Sequence, residues 1–225
     1  MNLAVRAVRT WSICLFLLLF LTSDATAQLL DQTDNQFWSE VQLAVPVTRQ
    51  FDFNIMGGLR VGRNISHPVD ERIGAGFTLR AGEYVTVAPH YLHIGMQPFA
   101  GRRLWENRLV LPVTVRFNVG RFRLSDRNQF ERRLRNSGIK SNRYRNRFAV
   151  EHPIGSDKLG WTVFIADEIF YDFALDRWTR NRFGVGATKV FNKHFTQDFY
   201  YLRQNDSFSL PGDLNVIGTI LRVKL

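Results

Sequence analysis

The feature that most constrains this chain is an alternation of apolar with charged or small residues at every second position. The alternation is clearest in the stretches 51–61, 72–80, 105–118, 182–188 and 217–225. A period of two sends successive side chains to opposite faces of a β-strand, whereas a helix needs a period near 3.6. The chain is therefore expected to be all-β, with each strand apolar on one face and polar on the other.

The pattern predicts eleven strands, which lie at 35–46, 50–62, 71–81, 83–95, 105–119, 121–134, 143–153, 160–172, 178–190, 194–204 and 214–225. A strand of a globular protein usually has about 5–6 residues, while a tilted strand that crosses a bilayer needs about 9–11. The predicted lengths therefore favour strands that cross a membrane.

The predicted connections alternate in length, which is typical of bacterial barrels with short periplasmic turns and long outer loops. Short connections at 47–50, 81–82, 120 and 192–193 alternate with longer polar ones at 64–70, 97–103, 135–142 and 205–213. We therefore predict an antiparallel, up-and-down transmembrane β-barrel of 10–12 strands. Single-chain bacterial barrels have even strand numbers, so either the segment 28–34 threads the lumen or forms a further strand, or one of the eleven strands is wrongly divided. Twelve strands are preferred over ten.

The apolar face carries aromatic residues near strand ends, where interfacial girdles belong: Phe37, Trp105, Phe117, Phe122, Trp161 and Trp178. The alternative is a soluble barrel or sandwich with its apolar face turned inward. Such a protein would carry mostly Lys, Glu, Ser and Thr on its polar face. Here that face is rich in Arg, Gly and Glu, which suits a crowded lumen better.

The N-terminus has the pattern of a cleaved export signal. Arg6 and Arg9 precede the apolar run 13–21, and Ala25 and Ala27 offer a small-x-small cleavage site. The run is shorter than the about 20 apolar residues that a membrane anchor helix needs. We therefore expect a signal peptide at 1–27, an outer-membrane β-barrel at 28–225, and a location in the bacterial outer membrane. Cys14 is the only cysteine, so the mature barrel is expected to have no disulfide bond.

The chain resembles the outer-membrane barrel family known as domain of unknown function 2490. The resemblance rests on short motifs in order along the chain: 37–40 (FWSE), 106–108 (ENR), 126–132 (DRNQFER), 143–147 (RYRNR) before 151–153 (EHP), 167–170 (DEIF), 181–182 (NR) before 184–186 (GVG), and 200–202 (YYL). It implies an outer-membrane β-barrel and no established activity. Leu225 departs from the pattern, since an aromatic residue is expected at the end of the chain.

Charged residues on the polar face of neighbouring strands are expected to meet in the lumen as a belt with a positive excess: Glu106, Arg108, Arg116, Arg127, Glu131, Arg143, Arg145, Glu168, Arg180 and Arg182. Arginine rings select for anions in pores, so one interpretation is an anion-attracting constriction. The other is a structural network of Arg–Glu pairs that fills a narrow barrel. The leading functional prediction is a narrow channel or structural membrane component that weakly favours anions.

Other chemistry is weakly indicated. His90 and His93 are three residues apart, so on one strand they point to opposite faces, and no metal or other cofactor is expected. The enzyme alternative is a barrel-borne lipase or acyltransferase, which needs a serine and a histidine close together at a rim; a soluble periplasmic lipid-binding barrel is a further alternative. The net charge of +10 does not indicate nucleic acid in an exported protein. The expected partners are outer-membrane lipid, the barrel-assembly machinery and small anionic solutes.

Overall fold

The computed structural model describes residues 33–136, 140–155, 160–209 and 211–225, except for the side chains of Pro98 and Phe99. The predicted signal peptide at 1–27 and the segment 28–32 lie outside these residues. The strands are β1 (Asp34–Pro46), β2 (Phe51–Gly62), β3 (His67–Ala81), β4 (Val85–Val87), β5 (His90–Phe99), β6 (Arg102–Val119), β7 (Phe122–Arg135), β8 (Ser141–Ile154), β9 (Trp161–Asp172), β10 (Arg177–Val190), β11 (Phe195–Asp206) and β12 (Leu214–Lys224). Within the described parts of the chain, no helix is long and apolar enough to span a membrane.

The strands form one closed sheet in which each strand pairs with its neighbours along the chain, and β12 pairs with β1. β4 and β5 are two segments of a single crossing, because both pair with β3 on one side and β6 on the other. The barrel therefore has eleven crossings, the number that the alternation predicts. The preference for an even number was wrong, because β1 and β12 close the barrel in parallel, from Asp34 opposite Leu214 to Ala44 opposite Lys224.

The break between β4 and β5 lies at Ala88 and Pro89, inside the single strand predicted at 83–95. Proline has no N–H group to donate to a neighbouring strand, so it interrupts a ladder of hydrogen bonds. Two bonds flank the break: the Ala88 N–H donates to the Pro112 carbonyl, and the Phe77 N–H donates to the Pro89 carbonyl, both at 3.0 Å. The crossing is continuous, but its regular pairing is not.

Burial is inverted relative to a soluble protein. Among the residues that the structure describes, seventeen polar or charged residues are buried, but only nine apolar ones, while thirty-six large apolar side chains are exposed. Five of the six predicted girdle residues, Phe37, Trp105, Phe117, Phe122 and Trp178, are among the exposed ones, while Trp161 is half-buried. The apolar face of the alternation thus points outward and the polar face points into the barrel, as predicted.

One group of polar residues departs from this rule and lies on the outer face of β7 to β10. The Asn146 amide donates to the Asp126 carboxylate at 2.6 Å, and the Asn181 amide donates to the Asp167 carboxylate at 2.8 Å. The Tyr144 hydroxyl donates to the Asn128 amide oxygen. Polar side chains on one face of neighbouring strands can satisfy one another in this way, so the outer surface is not uniformly apolar.

Several connections are shorter than predicted, because the strands extend further. The longer polar connections expected at 64–70 and 97–103 are only 63–66 and 100–101. In the first, Arg63, Asn64 and Ile65 all have left-handed backbone angles, with φ of 51°, 55° and 60°. Asp34 holds this turn to the start of β1, since its carboxylate accepts the N–H groups of Arg63 and Asn64 at 3.0 and 2.7 Å.

Candidate functional site: the arginine-rich lumen

The inward side chains enclose a cavity of about 1570 Å³. It reaches one end of the barrel, where Asp34, Asn64, Ala100, Leu175 and Ser209 line it. These residues belong to the start of β1 and to connections that lie at the same end. We call this the open end of the lumen. The described residues of the connections 47–50, 82–84, 120–121 and 191–194, at the opposite end, do not line the cavity.

Three glutamates lie at the centre of the charged wall that β6 to β10 contribute. Glu106 and Glu131 are fully buried and Glu168 is 6% exposed. They share one inward face with arginines on the neighbouring strands, because the cross-strand register brings positions of equal parity side by side. A buried carboxylate is tolerated only with opposite charge and hydrogen bonds around it, which these arginines supply.

Glu106 is surrounded by three guanidinium groups. Arg108 lies 2.6 Å away on the same strand, and Arg133 and Arg135 from β7 lie at 2.9 and 3.1 Å. Arg108 also approaches the Glu131 carboxylate at 3.5 Å. Glu106 and Glu131 are therefore joined through one shared arginine.

Arg145 makes the second link, between Glu131 and Glu168. Its two terminal nitrogens lie 2.8 Å from Glu131 and 2.7 Å from Glu168. Arg143 adds a contact of 2.6 Å to Glu131, and Arg127 one of 2.8 Å to Glu168. The three glutamates thus belong to one continuous ion-pair network that spans five strands, β6 to β10, with Arg182 at 3.9 Å from Glu168 as its last member.

The aromatic ring of Phe170 packs among these cations. The Phe170 ring is 1% exposed and has the guanidinium carbons of Arg145, Arg182, Arg143 and Arg180 at 4.6, 4.9, 5.2 and 5.4 Å from its centre. A guanidinium group within about 6 Å of a ring face is attracted by its π-electrons. The ring therefore keeps like-charged side chains apart and holds them in place.

The opposite wall, from β11 to β2, is more apolar. Trp38, Leu214 and Val216 form a buried cluster against which Tyr200 and Leu202 pack. The Trp38 ring also faces the lumen cations, with the Arg60 guanidinium carbon 3.5 Å and that of Arg182 5.0 Å from its centre. Arg182 thus contacts both Trp38 and Phe170 and connects the two walls.

The charge balance of the cavity is positive. Of the described residues, thirteen arginines and eight carboxylates line it, an excess of five positive charges. Two facing arginines of the charged wall are incompletely paired: Arg147 makes no ion pair with any described residue, and the Nε of Arg127 is buried without a hydrogen-bond partner. They lie directly opposite each other on β7 and β8. An anion in the cavity would meet an attractive potential, strongest where cations are least compensated.

The structure brings together nine of the ten residues predicted for the belt. Eight of them are in the network: Glu106, Arg108, Arg127, Glu131, Arg143, Arg145, Glu168 and Arg182. Arg180 lies beside Phe170 and pairs with Asp206. Arg116 is the exception: it is exposed, does not line the cavity and makes no ion pair with the described residues. It shares the inward parity, but β6 extends past the belt and carries Arg116 toward the far end of the barrel.

The prediction missed several lumen residues. Asp172 pairs with Arg133 at 3.4 Å, Asp70 with Arg72 at 2.5 Å, and Asp198 with Arg222 at 2.6 Å. All have the inward parity of their strands, so the alternation contained the signal. The aromatic contacts of Trp38 and Phe170 had no such signal, because an aromatic residue at an inward position does not indicate which cation it meets.

The histidines divide between the two faces, as their spacing predicts. His90 lines the cavity, and His93 is exposed on the outer face, where its Nδ1 lies 2.7 Å from the Asn107 amide oxygen. In the described residues, no group of three or more His, Cys, Asp or Glu side chains is arranged to hold a metal ion.

The sequence matches the family described as "Protein of unknown function (DUF2490)" over residues 35–213. No curated protein matches it. Among solved structures, the anion-selective porin from Comamonas acidovorans matches with a TM-score of 0.39 and 13% sequence identity, over 78% of this chain and 54% of that porin. This chain therefore spans about half the length of that porin. The family match extends from β1 to the residue before β12, and the chain belongs to the DUF2490 family.

Proposed function

We propose that this protein is an outer-membrane barrel whose narrow lumen admits small anionic solutes. The observation that carries the proposal is the excess of five positive charges among the side chains that line the cavity. Rings of arginine favour anions in pores, and low-dielectric walls strengthen the attraction.

The placement in a membrane is supported by the inverted burial. A soluble protein rarely exposes an apolar patch larger than a few hundred Å², whereas thirty-six large apolar residues are exposed in the described part of this chain. A closed barrel also leaves no unpaired strand edge, which a lipid environment requires. The alternative of a soluble periplasmic barrel predicts a monomer without detergent, whereas the membrane barrel requires detergent or lipid to remain dispersed.

The narrowness is supported by the ion-pair network. Glu106, Glu131 and Phe170 are buried within the lumen wall and their partners project from five strands, so charged side chains occupy the side of the interior that β6 to β10 form. A solute would pass beside this wall, close to Arg127 and Arg147. Small inorganic and carboxylate anions fit such a path better than bulky ones.

The test is single-channel recording of the purified protein in planar bilayers, with the reversal potential measured in asymmetric KCl. We expect discrete conductance steps and a reversal potential of the sign that chloride permeation gives. A folded, heat-modifiable barrel that inserts but never conducts would exclude the channel and leave the structural role. Conductance with cation preference would exclude the proposal that the lumen arginines favour the passage of anions.

A second candidate is a lipid-modifying enzyme, and one contact favours it. In the turn at the open end, the Ser66 Oγ lies 2.8 Å from the Nδ1 of His67. The Ser66 hydroxyl also donates to the Arg63 carbonyl, and no described carboxylate contacts His67, so the orienting group of a triad is missing. Release of fatty acid from phospholipid vesicles that Ser66→Ala abolishes would support this candidate. Equal rates for both proteins would remove it.

A further inference from the structure

A second cavity lies on the outside of the barrel, over the break between β4 and β5. It is a groove of about 470 Å³, lined by outward side chains that include Phe53, Phe77, Tyr91 and Leu111. Its size is within the range of small-molecule sites, which are usually mostly apolar with a few polar groups. Arg132 contributes the one permanent charge among its described lining residues.

Only a thin partition separates this groove from the lumen. His90 and Val110 line both cavities. They lie directly opposite each other on β5 and β6, in the first register pair after the break. On the outer side of this pair the surface is apolar, and on the inner side it faces the arginine-rich lumen, where Arg127 and Arg145 belong to the ion-pair network.

The ladder of hydrogen bonds between the β4–β5 crossing and β6 lacks one bond at this point. In an apolar environment, parting two strands is costly because it leaves N–H groups without partners. On the β6 side, Pro112 has no N–H group to donate, so only one bond is made there, from the Ala88 N–H to the Pro112 carbonyl. Regular pairing of β4 with β6 ends at Val87, and that of β5 begins at His90. Fewer hydrogen bonds must be broken to widen the wall here than at an uninterrupted strand pair.

We propose that this break is a lateral portal for a single-chain anionic amphiphile of the fatty-acid class. The acyl chain lies in the outer groove, and the carboxylate passes between His90 and Val110 to the lumen arginines. Charge complementarity supports this occupant, because the groove is apolar while the cavity behind it carries the positive excess. The inference rests on the proposed function, since it requires the outer surface to face lipid.

The test is photolabelling of the protein in phospholipid vesicles with two palmitate probes, one with a diazirine in mid-chain and one with a diazirine beside the carboxylate, with labelled residues mapped by mass spectrometry. We expect the mid-chain probe to label Ala75, Tyr91 and Leu111 in the groove, and the carboxylate-end probe to label Gln129 in the lumen. Ala75→Phe, which fills the groove, should abolish both. Ala187→Phe, an outward position on β10 away from the groove, should abolish neither. Label spread evenly over the outer surface would overturn the proposal.

A disulfide across the partition separates lateral entry from entry at the open end. In a Cys14→Ser background, oxidation of the pair His90→Cys and Val110→Cys should keep the groove label and abolish the lumen label, and reduction should restore it. The matched control is the inward pair Ser125→Cys and Ala149→Cys on β7 and β8, which are also register partners. Lumen label that persists in the locked variant would overturn the portal.

Conductance measured on the same samples distinguishes the two proposals. A wild-type protein that conducts anions but labels evenly, or labels its lumen when locked, contradicts the portal alone. A protein that needs no lipid or detergent to stay dispersed contradicts both, because its outer surface then does not face a membrane. Groove and lumen labelling in an inserted barrel that does not conduct contradicts the channel and supports the portal.

Discussion

The ring of Tyr200 lies over Gly218, its register partner on β12, so closely that a Cβ atom at position 218 would collide with it. Gly218→Ala should therefore destabilise the barrel by about 1–3 kcal/mol, the usual cost of overpacking. Urea unfolding of the protein in lipid vesicles measures the change. Gly95→Ala is the control, because a Cβ atom there has nothing within 4 Å. Equal effects of the two substitutions would contradict the role of the Tyr200 contact.

Val113 tests which face of β6 meets lipid. It has the outward parity of the exposed residues Leu111 and Val115. Val113→Arg should cost about 2–4 kcal/mol near the middle of a bilayer and reduce the amount of assembled protein. Val119→Arg, at the end of the same strand, should cost only about 0–1 kcal/mol, because arginine is tolerated near the interface. A silent Val113→Arg would mean that this face does not contact lipid.

Arg145 is expected to be the most important single residue for the stability of the lumen. Arg145→Ala removes one partner from both Glu131 and Glu168, and loss of a partner from a buried ion pair costs about 3–5 kcal/mol. We expect the lower end of that range, since Arg143 and Arg127 still contact these glutamates. Arg147→Ala, two residues along the same face, should cost less than about 0.5 kcal/mol. The comparison uses urea midpoints, and equal midpoints would contradict the network's structural role.

Arg147 should instead matter for selectivity. A unit charge about 4 Å from an ion contributes about 1 kcal/mol in water, so Arg147→Ala should lower the chloride-to-potassium permeability ratio by roughly two- to fivefold, less at high salt. Reversal potentials at two KCl gradients measure the ratio. Arg121→Ala removes an equal charge from an exposed turn and should leave the ratio unchanged. An unchanged ratio in Arg147→Ala would mean that ions do not pass this position.

The alternation along the chain is sufficient to predict the strands and their two faces. Predicted and observed strands agree within a few residues at most ends, for example 160–172 against Trp161–Asp172. This works because the parity of a position fixes its side of the sheet. The same rule cannot predict that the polar pair of Asp167 and Asn181 lies on the outer face, because it assigns polar side chains to the lumen.

The pairing inside the lumen could be predicted only in part. Parity places Glu131 and Arg145 on the same face, but the contact depends on the register between β7 and β8, which turn lengths alone do not determine. Arg116 illustrates the opposite error: the sequence predicted its face of β6 correctly, but not its position along the barrel axis. The parallel closure follows from the odd count of eleven strands, but the rule that single-chain bacterial barrels have even strand numbers led to the wrong preference.

Because β1 and β12 pair in parallel, the first strand begins at one end of the barrel and the last strand ends at the other. Asp34 begins β1 at the open end of the lumen, and Lys224 ends β12 at the other end, because an odd number of crossings does not return a chain to its starting side. In a membrane, epitope tags inserted beside these two residues would be accessible from different compartments. A factor that grips the start of β1 would act at the mouth of the lumen, while one that reads the end of β12 would act on the opposite side of the bilayer.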